Sequence, residues 1–349
     1  MKKNQDTMSE KEQLKDHIQA ITATAKEIKK TVTLMEICGG HTNVIMKYGI
    51  REILPKNIRL ISGPGCPVCV SAQHDIDCVV ALAQQGIPIA TYGDMLKVPG
   101  TTSSLDEARA CGSKIFEVYS TTEVENLRKK NPTIVFFGVG FETTAPMTAF
   151  LLEKNVCVYS VHKLIPPALR LLAEGTVKID GFINPGHVST IIGATPYKDI
   201  NIPQVITGFT PEHILRSIRI LLELIHDNKP VVVNAYPEAV REDGNLFAQA
   251  LLKHHFIVTN SEWRGLGMLP LSGLDVRNDE CNAKIKYQHI FEKIHPPKKT
   301  NCRCGDVLKG LLEPLDCPLY KKGCTPDSPQ GACMVSAEGS CAIYYHYGK

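Results

Sequence analysis

Cysteine marks this chain out. Thirteen of its 349 residues are cysteine. Cys38, Cys66 and Cys69 sit in loops rich in glycine and proline, and six more fall between Cys302 and Cys341. Thiolates are soft metal ligands and two-electron redox groups. In a large chain with no evident export signal, clustered cysteines point to metal binding or redox chemistry rather than to stapling. Cys78, Cys111, Cys157 and Cys281 are scattered. Three of these lie in apolar stretches and read as small buried hydrophobes.

The tail reads CRCGDVLKGLLEPLDCPLYKKGCTPDSPQGACMVSAEGSC and carries Cys302, Cys304, Cys317, Cys324, Cys333 and Cys341. A cubane iron–sulfur cluster takes four thiolates, and so does structural zinc. Zinc ribbons and fingers usually show two CxxC-type knuckles, whereas this tail has one CxC and wider gaps, which fits a cluster better. Four ligands leave two thiols, and a thiol pair beside a cluster suggests a dithiol/disulfide couple that exchanges electrons with it. Our assignment takes Cys302, Cys317, Cys324 and Cys341 as cluster ligands and Cys304 and Cys333 as the redox pair. Spacing does not force that choice, and the two CxC sulfurs can swap roles.

Two further motifs follow apolar runs. Cys38-Gly39-Gly40-His41-Thr42 offers a thiolate and an imidazole three residues apart, able to share one metal ion, on glycines that let the backbone turn sharply. A structural turn with a buried cysteine is the plain alternative. Gly63-Pro64-Gly65-Cys66-Pro67-Val68-Cys69 places a CxxC at what reads as a helix N-terminus, where free amides favour the thiolate. A CxxC is either a redox disulfide or half of a metal site. Gly138-Val139-Gly140 lacks the third glycine of a dinucleotide fingerprint, so the segment running on to Pro146 is a weak nucleotide signal. Its Glu142, with Thr42 and with His187 of Asn184-Pro185-Gly186-His187, is a candidate lining of a cleft. Helix capping and an ordinary loop histidine are the bland readings of Glu142 and His187. Trp263, the only tryptophan, reads as packing.

Something must hold these loops together. Apolar runs alternate with helical patterns: strands at Thr31–Ile37, Ile58–Ser62, Ile87–Tyr92 and Lys114–Tyr119, and helices over 8–30, 71–85 and 104–111. A second series has strands at Thr133–Val139, Val156–Val161, Gly181–Asn184, Val205–Thr207 and Val231–Asn234. Its helices run over 143–154, 166–174, 211–227 and 237–254, the third opened by Thr210-Pro211. Such alternation predicts an α/β fold with two doubly wound parallel-sheet, Rossmann-like domains facing a cleft. The polar stretch Arg128–Pro132 suggests a boundary, giving domains over 1–130 and 131–261. Residues 262–349 then form a small cysteine-rich iron–sulfur domain, where periodicity falls and a metal site would hold the fold together.

Composition excludes some classes. Hydrophobic residues make up 43% and charged residues 21% of the chain, and the net charge is only +3. Nothing is both basic and aromatic-rich, so no nucleic-acid partner is expected. No apolar run approaches a membrane span and the first residues lack a signal-peptide core, so a cytoplasmic protein is expected.

Taken together, CGGHT, GPGCPVC, GFETTAP, NPGHVSTIIG and the six-cysteine tail resemble the HypD family, maturation proteins of nickel–iron hydrogenases. The resemblance runs in order from about residue 31 to about residue 345. It implies a [4Fe–4S] cluster in the tail. It also implies a scaffold, formed with a small HypC-type chaperone, on which iron receives cyanide and carbonyl ligands before passing to the hydrogenase large subunit. A HypE-type partner would deliver the cyanide. On this resemblance Cys38 is the iron-site cysteine, shared with a cysteine of the chaperone. His41 is its neighbour, and Cys66 and Cys69 are a thiol pair facing the site. Two other readings remain: an iron–sulfur-dependent disulfide reductase resembling ferredoxin–thioredoxin reductase, and a zinc-stapled binding protein. A plain reductase has no need of CGGHT.

Overall fold

A computed structural model describes residues 9–295 and 301–348. The helix expected over 8–30 is observed as Glu10–Glu27, opened by a Ser9/Glu12 capping box. Residue 8, and the first residues on which the lack of an export signal was read, lie outside the described residues.

Eleven strands follow among the described residues: β1 Val32–Glu36, β2 Ile58–Ser62, β3 Ile89–Thr91, β4 Ile115–Glu117, β5 Val135–Gly140, β6 Cys157–Lys163, β7 Gly181–Pro185, β8 Gln204–Thr207, β9 Val232–Asn234, β10 Phe256–Trp263 and β11 Gly267–Val276. They make two sheets. The first, in order β2-β1-β7-β8-β9, is wholly parallel. The second runs β10-β11-β6-β5-β3-β4, with β6, β5, β3 and β4 parallel and the β10–β11 hairpin added antiparallel. The α/β expectation with Rossmann-like parallel sheets therefore holds, with one mixed edge. Strands such as β1 and β5 are buried along their whole length, which is why they read as continuous apolar runs.

The order of the sheets differs from a simple division along the chain. The stretch Arg128–Pro132 separates no sheets, because β4 before it and β5 after it lie in the same one. It is the end of a helix, Thr121–Lys130, whose last turn carries Arg128, Lys129 and Lys130, a placement that suits the negative end of the helix dipole. The chain leaves the first sheet after β2, builds β3 to β6, and returns at β7 to pair with β1. Residue 262 falls inside β10, and β11 continues the second sheet beyond it. The helix expected over 237–254 forms only as Leu246–His255.

Strand order creates one reversal in each sheet. In the first sheet the chain winds from β1 outward to β2, and from β7 outward to β9, so the switch point lies between β1 and β7. In open parallel sheets the crevice at the carboxyl ends of such neighbours is where ligands bind. The loops there are those of Cys38 and His187. The cysteine-rich tail packs into the same core rather than apart from it: Cys304, Cys333 and Cys341 share an apolar cluster with Met35, Ile61, Cys66 and Cys69.

Candidate functional site

Cys38 follows β1 and caps the helix Gly39–Lys47. Its own backbone N–H donates to Glu36 Oε2 at 3.1 Å, and the Thr42 hydroxyl donates to Glu36 Oε1. Glu36 is 1% exposed, and burial pushes its carboxyl up to about 7. Thr42, expected in the cleft, is buried behind the turn and holds this carboxyl. Burial, then the nearby Glu338 carboxyl, pushes the Cys38 thiol up to about 12. Metal coordination would deprotonate it outright.

His41 is 0% exposed, and neither ring nitrogen makes a hydrogen bond of good geometry, although the Thr207 and Gly208 backbone lies close to the ring. Burial lowers its pKa to about 3, outweighing the Thr207 and Gly208 backbone beside it, so the imidazole is neutral, the form that can ligate a metal. Phe209 stacks on it at 4.8 Å between ring centroids, and stacks on His187 at 3.9 Å. His187 stands exposed at the end of β7.

The GPGCPVC loop lies directly on this turn. A Cβ added at Gly65 would stand 2.3 Å from Cys38 N, so only glycine permits the approach. Cys66 and Cys69 are joined as a disulfide with 5.2 Å between Cα atoms, and they are 3% and 0% exposed. The helix that begins there, Pro67–Val70, is a single turn.

All six tail cysteines line one enclosed apolar space that also meets Val307, Leu319 and Met334. The Cys304 thiol contacts Cys302 on one side and Cys333 on the other, and Cys333 contacts Cys341. Among the described residues no three of histidine, cysteine, aspartate and glutamate stand around one point as a ready-made cage. The tail thiols pack against one another instead. As a donor set, six thiols walled by apolar side chains suit an iron–sulfur cluster.

The tail also reaches the other two motifs. The one-turn helix Ala332–Val335, which contains Cys333, packs against Pro67–Val70, which contains Cys69. Glu338 lies on the CGGHT turn: a Cβ added at Gly39 would be 2.3 Å from its carbonyl oxygen.

Glu142 belongs elsewhere. It follows β5 in the second sheet, is 1% exposed, and accepts from the Ile165 N–H at 2.9 Å. Burial pushes its carboxyl up to about 7. It makes no hydrogen bond to the elements bearing Cys38 and His41. Trp263 packs as expected, stacked on Phe141 at 6.0 Å with its Nε1 donating to Ser272. Cys78, Cys157 and Cys281 are buried and Cys111 is exposed.

Sequence reasoning missed Glu36, Phe209 and Glu338. An acidic residue closing an apolar strand, as in Val32–Glu36, is a readable signal. Phe209 and Glu338 acquire a role only through the order of the sheets.

Known proteins bear on this arrangement. The HypD family model, described as the hydrogenase formation hypA family, matches residues 12–348. The chain is 41% identical over 360 residues to the hydrogenase maturation factor HypD of Rhizobium leguminosarum bv. viciae, covering 96% of this chain and 93% of that protein. It is 40% identical over 353 residues to the hydrogenase maturation factor HypD2 of Bradyrhizobium diazoefficiens, covering 95% and 93%. Against the hydrogenase maturation factor HypD of Azotobacter vinelandii it is 40% identical over 349 residues, covering 94% and 92%. With the family model spanning nearly its whole length, this chain belongs to the HypD family of hydrogenase maturation factors.

Proposed function

We propose that the protein is a scaffold on which iron receives cyanide and carbonyl before delivery to the hydrogenase large subunit. The observation that carries this reading is the contiguity of three thiol sites. Cys38 lies under Gly65, the Cys66–Cys69 turn packs on the turn of Cys333, and Glu338 of the same tail rests on Gly39. Cys38 is the iron anchor, shared with a cysteine of a small HypC-type chaperone, and neutral His41 stands beside it. A soft thiolate suits low-spin iron with diatomic ligands. A HypE-type protein is the cyanide donor.

Cys302, Cys317, Cys324 and Cys341 hold a [4Fe–4S] cluster, and Cys304 and Cys333, in contact and buried, are the adjacent redox pair. Bound there, the cluster supplies single electrons at low potential. Reducing Cys66–Cys69 takes two electrons and two protons and yields two thiols. Such thiols and a cluster need a reducing compartment, so we place the protein in the cytoplasm. No described helix is long and apolar enough to cross a membrane.

The buried disulfide beside a thiol-rich tail also suits a disulfide reductase. Yet Cys66 and Cys69 are too enclosed to meet the disulfide of a protein substrate. Complementation separates the readings. A host lacking its HypD-type factor should regain hydrogenase activity with the wild-type gene and not with Cys38→Ala. Full activity with Cys38→Ala would remove the scaffold reading.

A further inference from the structure

Phe209 follows β8 in the turn Gly208-Phe209-Thr210, beside the loops of β7 and β1. Its ring stacks on His187 at 3.9 Å and 26°, and on His41 at 4.8 Å and 28°. One face of a phenyl ring has room for one ring stacked so closely, so the two imidazoles take opposite faces. The ring is also wedged against the turn that carries Cys38. A Cβ added at Gly40 would stand 3.0 Å from Phe209 Cδ1 and 3.6 Å from Cys38 Sγ.

We propose that Phe209 is a positioning residue: its ring is a spacer that stops His41 and His187 from closing together on one metal ion. This rests on the scaffold reading. With metal–nitrogen bonds near 2.1 Å, two imidazoles on one ion bring their ring centroids to about 5 Å apart. A phenyl ring between two stacked imidazoles holds them well beyond that. The consequence is chemical. Iron that must accept cyanide and carbonyl needs open positions, and an ion gripped by Cys38 and both imidazoles would offer fewer of them. Phe209 keeps the protein's grip sparse.

Cobalt(II) tests this without maturation. Bound to anaerobic protein, it gives hyperfine-shifted, solvent-exchangeable imidazole N–H resonances that count the histidines on the ion. Wild type and Phe209→Tyr should show at most one. Phe209→Ala should show two, with cobalt held at least tenfold more tightly, and Phe209→Ala with His187→Ala should return to one. A purely structural role for Phe209 would not raise the count. Phe209→Ser, whose side chain is also too small to hold the imidazoles apart, should likewise show two and serves if the alanine variant does not fold. Two histidine signals in wild type, or no second signal in a folded Phe209→Ala or Phe209→Ser, would overturn the proposal. If the scaffold reading alone were wrong, the cobalt count would still rise in these variants.

Discussion

If Cys38 anchors iron as proposed, replacing Gly65 with alanine should disable that site while leaving the rest of the protein intact. The added Cβ would stand 2.3 Å from Cys38 N, 2.4 Å from Cys38 Cα and 2.5 Å from Ile37 C. These are backbone atoms, so no side-chain rotation relieves the contact. Ordinary contact requires the two loops to part by roughly 1 Å, and a displacement of that size at a reacting centre costs on the order of 10²-fold in rate. Overpacking of this kind costs about 1–3 kcal/mol of stability, which a protein this large survives. Gly323→Ala is the control, because nothing lies within 4 Å of its added Cβ. The assay is hydrogenase maturation by the purified variant, with circular dichroism and the thiolate-to-iron absorption of the cluster proposed for the tail as measures of integrity. Gly65→Ala should lose about two orders of magnitude in maturation with the absorption unchanged. A folded Gly65→Ala that matures hydrogenase as fast as Gly323→Ala would refute the close packing of the two motifs as a functional requirement.

Three further outcomes are expected. Glu142 has a folded-state pKa of about 7 against an ordinary value of 4.5, so its ionisation opposes folding. Relative to Glu142→Gln, wild type should therefore lose stability as pH rises from about 4.5 to 7, by about 3 kcal/mol at most, read from denaturant midpoints across that range; parallel pH curves would contradict this. Cys66→Ser with Cys69→Ser should cost about 2 kcal/mol or less, since the bridge closes a very short loop, yet should abolish maturation. Unchanged maturation would remove the disulfide from the electron path. Cys324→Ala should lose the iron–sulfur absorption and half or more of the bound sulfide, whereas Cys111→Ser, altering an exposed thiol, should keep both.

Much of the site was legible in the sequence because its signals are local. An apolar run ending in CGG or GPGC announces a buried strand and the loop at its carboxyl end, and β1 and β2 sit where those runs do. Six close-set cysteines announce a shared thiol site, and they line one space. What was not legible is non-local. Nothing in Gly181–Pro185 says that it pairs with β1, 145 or more residues earlier, rather than with the nearer β6. The division at residue 130 followed from that gap. The β10–β11 hairpin was missed because its strands are half exposed and carry polar residues such as Asn260 and Ser261, which blur the apolar pattern. Phe209 looks like an ordinary apolar residue before a helix, and only the pairing of β7 with β8 sets it between two imidazoles.

The central claim is that Cys38 anchors iron carrying cyanide and carbonyl. Infrared spectroscopy of the protein isolated anaerobically with the proposed HypC-type chaperone tests it most directly, because protein is silent where these diatomic ligands absorb. Wild type should show cyanide and carbonyl bands, and Cys38→Ala should show none while the cluster proposed for the tail persists. Bands that survive in Cys38→Ala, or a wild type with an intact cluster and no bands, would contradict the claim.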